Sequence, residues 1–145
     1  MKLQEQTLAI IKPDAFSRNL VGPIIAMAAE KQLSLVAAQL LHLTRKEVES
    51  FYYVHRDKDF FESLIRFMTE GPLFVIVLQG ENALTVWRKT MGATDPSQAE
   101  EGTIRQRFGE NIERNAVHGS DSPESARFEI GFFFSSRDLL EGPNS

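Results

Sequence analysis

The chain has 145 residues, 42% hydrophobic and 25% charged, and this length and balance predict one domain over residues 1–145 with a frayed tail at 141–145. Because cysteine is absent, a disulfide framework, a thiolate zinc site and a cysteine nucleophile are excluded. The net charge of -4 argues against binding long tracts of nucleic acid but permits a local cationic pocket. A polar start and short apolar runs predict a cytoplasmic chain without signal peptide or membrane span.

The first half of the chain predicts two strands and two helices. Residues 6–11 are apolar and partly β-branched, which is typical of a buried strand, and Lys12-Pro13-Asp14 ends it. A helix is expected from Gly22-Pro23 to about residue 31, followed by a strand over 33–43. Thr44-Arg45-Lys46-Glu47 has the pattern of a capping box and predicts the start of the next helix.

The second half begins with a repeat of that pattern. Asp59-Phe60-Phe61-Glu62 predicts another capping box, and its helix is expected to end before Gly71-Pro72. The continuous apolar run 73–78 predicts a central strand, and a helix over 81–91 is expected to follow it.

The last third contains a long polar segment over 93–114, with a short turn expected at 103–107. A loop of this length inside a compact domain is usually functional. Residues 115–118 predict a short last strand, and Ser122-Pro123 the capped start of the final helix. The alternation of strands and helices predicts an antiparallel or mixed sheet covered by helices, in the α+β manner.

Of the three histidines, only one has neighbours that suggest chemistry. His42 lies within a predicted strand and His55 in a charged stretch, and without spaced acid partners both are interpreted as surface residues. His118 ends an apolar segment and precedes Gly119 and a helix start. Glycine permits close approach of another group, and a helix N-terminus favours an anion. His118 is therefore the candidate to carry a phosphoryl group on its ring.

A nucleophilic imidazole needs an orienting partner on its other nitrogen, and Glu129 is the candidate. It lies seven residues past Ser122 on the same side of the final helix, at the border of an apolar stripe where a lone carboxylate is costly. Helical side chains lean toward the N-terminus, so Glu129 is expected to point back toward His118. The alternative is a solvated glutamate, and spacing alone leaves both open.

The helix that begins near Asp59 has more apolar surface than one core contact requires. Its two adjacent stripes are Phe61, Ile65 and Met68, and Phe60, Leu64 and Phe67. One stripe can pack on the sheet, and the other could close over a flat ligand such as a nucleobase. The alternative is that both belong to the core, as wide apolar faces often do.

Three basic side chains could clamp phosphates from several directions. Lys12 follows a strand, Arg88 lies in the helix after the central strand, and Arg105 sits in the long loop with Thr94 and Thr103. Taken singly, each is by default a solvated surface charge. No Gly-x-x-x-x-Gly-Lys-Ser/Thr sequence occurs, so a P-loop is excluded.

The segment Asn115-Ala116-Val117-His118-Gly119-Ser120-Asp121-Ser122, with Glu124-Ser125-Ala126 and Glu129-Ile130, closely resembles the active-site signature of nucleoside diphosphate kinases. The likeness runs through nearly the whole chain. Its other segments are Ile11-Lys12-Pro13-Asp14, Leu20-Val21-Gly22, Phe60-Phe61, Met68-Thr69-Glu70-Gly71-Pro72, Gly92-Ala93-Thr94-Asp95-Pro96 and Gly102-Thr103-Ile104-Arg105. Several motifs in the right order are far more specific than any one of them.

The resemblance implies a ferredoxin-like α/β sandwich with a four-stranded antiparallel sheet covered by helices. It also implies a ping-pong reaction, in which a nucleoside triphosphate gives its γ-phosphoryl to His118 and a different nucleoside diphosphate then takes it. Mg²⁺ is expected to arrive on the nucleotide phosphates rather than in a protein cage. A homo-oligomer built from symmetric dimers, either a tetramer or a hexamer, is expected as well, with no nucleic acid required.

By the same resemblance, each site residue has an expected role. Lys12 contacts the ribose hydroxyl and phosphate, and Asn115 contacts the ribose. Phe60 stacks on the base with Leu64 beside it, which predicts broad base specificity. Tyr52 supports the site near the histidine.

The remaining roles concern the phosphates and the imidazole. The resemblance implies that Arg88, Thr94 and Arg105 hold the phosphates, and that Ser120 and Glu129 orient the ring. Phosphoryl transfer requires mainly positioning and charge neutralisation, which such a set supplies.

The chain departs from the family pattern at Ala15, where glycine is more common, at Met27-Ala28-Ala29 and at Pro123. None of these positions is in the candidate catalytic set, and the first two bear on the expected assembly. Two rival functions share such a fold. An RNA-binding module would need an aromatic motif that the sequence lacks, and a small-ligand sensor would be indifferent to His118→Ala.

Overall fold

The computed structural model describes residues 4–139, and the predicted frayed tail lies outside them. At its centre, strands β1 (Gln4–Ile11), β2 (Ser34–Leu41), β3 (Leu73–Glu81) and β4 (Val117–Gly119) form one sheet. The strand order is β2-β3-β1-β4, and every neighbouring pair is antiparallel. This arrangement confirms the four-stranded antiparallel sheet, with the apolar run 73–78 in one of its two inner strands.

Helices cover both faces of this sheet. In chain order they are α1 (Pro13–Ser17), α2 (Val21–Glu30), α3 (Arg45–Phe51), α4 (Phe61–Met68), α5 (Ala83–Met91), α6 (Ile104–Phe108) and α7 (Pro123–Phe133). Side chains that alternate along β1 divide the core in two, because successive residues of a strand point to opposite faces. Leu8 and Ile10 pack with α3, α4 and α7, whereas Ala9 and Ile11 pack with α2 and α5.

The two predicted capping boxes have different outcomes. At the start of α3, the Thr44 hydroxyl accepts from the Glu47 amide at 3.2 Å while the Glu47 carboxylate accepts from the Thr44 amide at 2.8 Å, which confirms the first box. The second prediction is wrong, because α4 begins only at Phe61 and no side chain caps it. A turn over residues 58–61 precedes α4, so Asp59 lies before the helix rather than at its cap.

Several helix and strand boundaries also differ from those that the sequence predicts. Pro13 opens the short helix α1, which was not expected, since proline is well tolerated in a first helical turn. Strand β3 continues to Glu81, and α5 starts after Asn82, whose φ of 53° breaks the strand. His42 follows β2 rather than lying within it, and it is exposed, as expected.

The long polar segment contains the expected turn as helix α6, which the Thr103 side chain caps. The final helix begins as predicted, with the Ser122 hydroxyl accepting from the Ser125 amide at 3.0 Å. Within residues 4–139, no helix is both long and apolar enough to cross a bilayer.

Candidate active site

His118 lies at the centre of β4, directly opposite Ile10 of the inner strand β1. The next residue, Gly119, has no room for a side chain, because a Cβ there would lie 2.6 Å from both Met91 Cε and Trp87 Cδ1. The Trp87 indole also donates to the His118 carbonyl at 3.3 Å. The close approach expected at Gly119 is thus made by helix α5, which clamps the short strand that carries His118.

Behind the imidazole is a relay of hydrogen bonds. His118 Nε2 lies 2.8 Å from Glu129 Oε1, and the Ser120 hydroxyl donates to the same oxygen at 2.8 Å. The Leu8 amide of β1 in turn donates to the Ser120 hydroxyl at 3.2 Å. The structure therefore places Glu129 against the ring, where helix α7 directs it, and ties both groups to the sheet. A carboxylate on one ring nitrogen fixes the tautomer and the orientation of the imidazole.

Two aromatic rings pack edge-on against the imidazole. The centroid of the Phe51 ring is 5.5 Å from that of His118, and the Tyr52 centroid is 6.0 Å away. Burial, with the nearby Glu129 charge, raises the pKa of the Tyr52 phenol, which stays neutral at physiological pH. These contacts leave His118 partly shielded by apolar rings.

On the open side, Lys12 and Asn115 form a buried pair at the end of β1. The Lys12 ammonium donates to Asn115 Oδ1 at 2.9 Å, and the Asn115 amide donates to the carbonyls of Thr94 and Ile112 at 3.0 and 2.8 Å. The lysine is only 7% exposed, yet it lines the cleft. Residues about 100 positions apart in the chain are thereby joined at one point.

Arg105 and Arg88 lie on the same open side. The Arg105 guanidinium donates to the carbonyls of Gly92 and Val117 at 3.1 and 2.7 Å, which fixes its position beside β4. Arg88 is half exposed and forms a 2.7 Å ion pair with Asp121. One cation is therefore held rigidly by the backbone, and the other is held by an exchangeable surface carboxylate.

Burial and a neighbouring positive charge lower the pKa of two of these cations, Lys12 and Arg105. Burial and then the charge of Arg105 lower the pKa of Lys12 to about 8, against the opposing pull of the nearby carboxylates. Burial and then the charge of Arg88 lower the pKa of Arg105 to about 10. An anionic ligand placed among these groups would favour the charged forms of Lys12 and Arg105, which burial and a neighbouring cation disfavour.

The far end of the site is apolar and open. Phe60 is 49% exposed beside α4, and Leu64, one turn on, is buried below it. The ring of His55 stacks obliquely against Phe60 with centroids 5.7 Å apart, and Ile112 is 62% exposed on the loop. The buried members of the two apolar stripes therefore belong to the core, whereas Phe60 remains half exposed at the cleft.

His118, the three cations and the apolar end line one cleft of about 550 Å³, a size suited to a small organic ligand. Every site residue expected from the sequence lines it except Ser120 and Glu129, which lie behind His118. Those that line it are Lys12, Tyr52, Phe60, Leu64, Arg88, Thr94, Arg105, Asn115 and His118. Thr103, the other threonine considered, caps α6 instead.

Besides Met91, Gly92, Ala93 and Gly119, four further lining residues lie outside the expected set: His55, Ile112, Glu113 and Asp121. His55 was interpreted as a surface residue, and Ile112 and Glu113 lie in a segment without periodicity. Only Asp121 had a signal in the sequence, since it follows His118 closely and can face the same cleft. Among residues 4–139, no group of three or more histidine and acidic side chains is placed to hold a metal ion.

An α/β sandwich with a histidine in a cationic, aromatic-rimmed cleft defines an enzyme that handles phosphorylated nucleotides. The family model for "Nucleoside diphosphate kinase" matches residues 5–139. The nucleoside diphosphate kinase of Oleidesulfovibrio alaskensis is 50% identical over 137 residues, which cover 94% of this chain and 99% of that protein.

Solved structures agree. The nucleoside diphosphate kinase of Aquifex aeolicus superposes with a TM-score of 0.93 at 38% identity, covering 95% of this chain and 100% of that one. A halophilic nucleoside diphosphate kinase from Halobacterium salinarum, in complex with CDP, superposes with a TM-score of 0.91 at 35% identity. The match covers 95% of this chain and 92% of that one. The chain belongs to the nucleoside diphosphate kinase family, and its activity is phosphoryl transfer from nucleoside triphosphates to nucleoside diphosphates.

Proposed function

We propose that His118 carries the phosphoryl group, and that Nδ1 is the nitrogen that receives it. This proposal is based mainly on the 2.8 Å contact between His118 Nε2 and Glu129. The same imidazole also lines the cleft, so its other nitrogen can face a ligand. With the proton held on Nε2 by the carboxylate, the lone pair of the neutral imidazole resides on Nδ1. That nitrogen makes no hydrogen bond within residues 4–139, so it is free to act as a nucleophile.

The reaction then proceeds in two displacements at phosphorus. The Nδ1 lone pair bonds to the γ-phosphorus of a nucleoside triphosphate, and the bond to the bridging oxygen breaks, so that the diphosphate leaves with the electron pair. In the second half, a terminal oxygen of another nucleoside diphosphate attacks the same phosphorus, and the electron pair returns to Nδ1. The Glu129 carboxylate offsets the positive charge on the phosphorylated ring, and Ser120 keeps that carboxylate in place.

The cations supply the charge neutralisation that phosphoryl transfer requires. Arg105, fixed by two backbone carbonyls, and Arg88, released from Asp121 by the competing ligand, bind phosphate oxygens together with Thr94. The Lys12 ammonium reaches both phosphate and ribose, because Asn115 holds it at the inner end of the cleft. Bound to the nucleotide phosphates rather than to a protein cage, Mg²⁺ would supply further charge neutralisation.

The nucleobase stacks on Phe60 above Leu64, with Tyr52 supporting the histidine side of the cleft. Stacking is tolerant of base identity, so the enzyme accepts purine and pyrimidine nucleotides with similar efficiency. The CDP bound to the Halobacterium salinarum protein supports diphosphate binding here. A cytoplasmic location and a homo-oligomer built from dimers complete the proposal.

The test is labelling with γ-labelled ATP and Mg²⁺ in the absence of an acceptor, followed by a chase with GDP. We expect acid-labile, alkali-stable label on wild type and on His42→Ala, the matched exposed histidine, and no label on His118→Ala. The label should move to GDP. A folded wild-type protein that binds nucleotide but takes no label would contradict the proposal and favour the sensor.

A further inference from the structure

The backbone that enters the histidine strand contains a γ-turn at a residue that is not glycine. Ala116 has a φ of 76°, and the Val117 amide donates across it to the Asn115 carbonyl at 2.9 Å. This i to i+2 pattern with positive φ is the rare and strained form of the γ-turn. A side chain carrying Cβ adopts it only where the surroundings enforce it.

The enforcing groups come from the start of α1. The Ala116 amide donates to Asp14 Oδ2 at 3.0 Å, and the Ala116 carbonyl accepts from the Lys12 amide at 2.9 Å. The Asp14 side chain is buried, with 1% exposure, and so is Ala116. Burial raises the pKa of the Asp14 carboxyl, while the amides of Ala15 and Ala116 and the Lys12 charge act in the opposite direction. A carboxylate is costly to bury unless it is paired and hydrogen-bonded, and the Ala116 amide supplies one of the bonds that offset this cost.

The turn lies between two parts of the candidate site, Asn115 with Lys12 and the His118 imidazole, whose relative positions matter for the reaction. Asn115, on its N-terminal side, holds the Lys12 ammonium, whereas His118, on its C-terminal side, pairs with Ile10 in the sheet. If the turn relaxed, the distance between the phosphate-binding lysine and the imidazole would change. A displacement of about 1 Å between reacting groups can cost about 10²-fold in rate.

We propose that Asp14 is a positioning residue, whose carboxylate holds the strained γ-turn at Ala116 and thereby sets His118 relative to Lys12 and Asn115. This inference rests on the proposed function. It differs from a general stabilising role in one respect: the strain sits at a single residue and can be removed without touching Asp14. Glycine adopts positive φ at no steric cost, so Ala116→Gly leaves the carboxylate with no strain to oppose.

The experiment compares wild type, Asp14→Ala, Ala116→Gly and the double variant in single-turnover phosphorylation by γ-labelled ATP with Mg²⁺. We expect Asp14→Ala to slow phosphorylation about 10- to 100-fold, with a smaller change in ADP affinity, because the base and arginine contacts remain. Ala116→Gly should label at close to the wild-type rate. The double variant should recover most of the rate that Asp14→Ala loses.

Asp14→Asn keeps an oxygen acceptor for the Ala116 amide and should retain most of the activity. A double variant no faster than Asp14→Ala, or an Asp14→Ala protein with wild-type rate, would overturn the inference. If Asp14→Ala does not fold, the double variant is expected to fold and to label, and an unfolded double variant would equally overturn it. Failure of wild type itself to label would instead refute the proposed function, so the two failures are distinguishable.

Discussion

Behind the His118 ring, at the rear of the site, hydrogen bonds connect Glu129, Ser120 and the amide of Leu8, so these polar groups are paired within the protein. In front of the ring, on the open side of the cleft, the positive charges exceed the negative ones. Among the residues that line the cleft, three lysine and arginine side chains face two carboxylates. The polar groups at the rear are hydrogen-bonded to one another, as in a protein core, without any ligand. At the front, burial and a neighbouring cation lower the pKa of both Lys12 and Arg105, so a bound anion would stabilise their charged forms.

This contrast separates two roles within one site. In the proposed function, groups whose hydrogen bonds are satisfied within the protein orient the nucleophile, and the cations at the front of the site bind the substrate. Variants of the rear should therefore change kcat more than KM, and variants of the front should change both, since the phosphates are held in the ground state and in the transition state.

The largest effect is expected at Arg105, at the front. Replacing it by alanine removes the rigidly held cation that we propose to bind the reacting phosphates, and we expect kcat/KM to fall by about 10³-fold. Steady-state kinetics with Arg45→Ala as the control should show no change, because Arg45 makes only surface ion pairs with Glu49 and Glu62. Equal losses in the two variants would show that the effect is not local to the cleft.

At the rear, Glu129→Gln keeps the shape of the side chain and removes its charge. We expect kcat to fall by about 10²-fold with KM nearly constant, since the loss of one preorganised electrostatic group typically costs about 10²- to 10³-fold in kcat. The rate of histidine labelling should fall in parallel. A change confined to KM would place Glu129 among the substrate-binding groups and break the distinction between rear and front.

A smaller effect is expected at the apolar end of the cleft. Phe60→Ala removes one stacking surface, so KM should rise about tenfold for purine and pyrimidine nucleotides alike. Phe128→Ala is the matched control, because Phe128 is equally exposed, at 53%, but lies on α7 away from the cleft. A strong preference for one base in wild type would count against recognition by stacking.

The smallest effect is a pH dependence of binding. The pKa of Lys12 is lowered to about 8, so the charged form that attracts phosphate is lost as the pH rises through 8. We expect KM to rise about fourfold between pH 7 and 8.5, on the basis of one titrating group. In a Lys12→Arg variant, whose guanidinium keeps its charge, KM should show no such rise over this range, whatever its absolute value.

The sequence predicts features that depend on residues close together in the chain better than features that depend on distant ones. The Thr44 capping box and the direction of Glu129 follow from helical geometry over a few residues, and the structure agrees with both. The Asp59 box had the same local pattern and failed, because the chain around it folds as a turn before α4.

Contacts between residues far apart in the chain do not follow from such local patterns. Nothing in the local pattern indicates that Asp14 would meet the amide of Ala116, or that Ile112 and Glu113 would line the cleft opposite Phe60. These contacts depend on how the segment over 93–114 folds back on the sheet. The resemblance predicted the members of the cleft by analogy, and the distances and pKa changes came only with the structure.

The most direct test of the contrast between the two sides of the ring is the site of phosphorylation on the imidazole. Protein labelled with ¹⁵N-histidine would be phosphorylated with Mg²⁺ and ATP and examined by NMR for coupling between phosphorus and each ring nitrogen. We predict coupling to Nδ1 of His118 alone, with Nε2 still protonated against Glu129. Phosphorus on Nε2, or on another residue, would contradict the account.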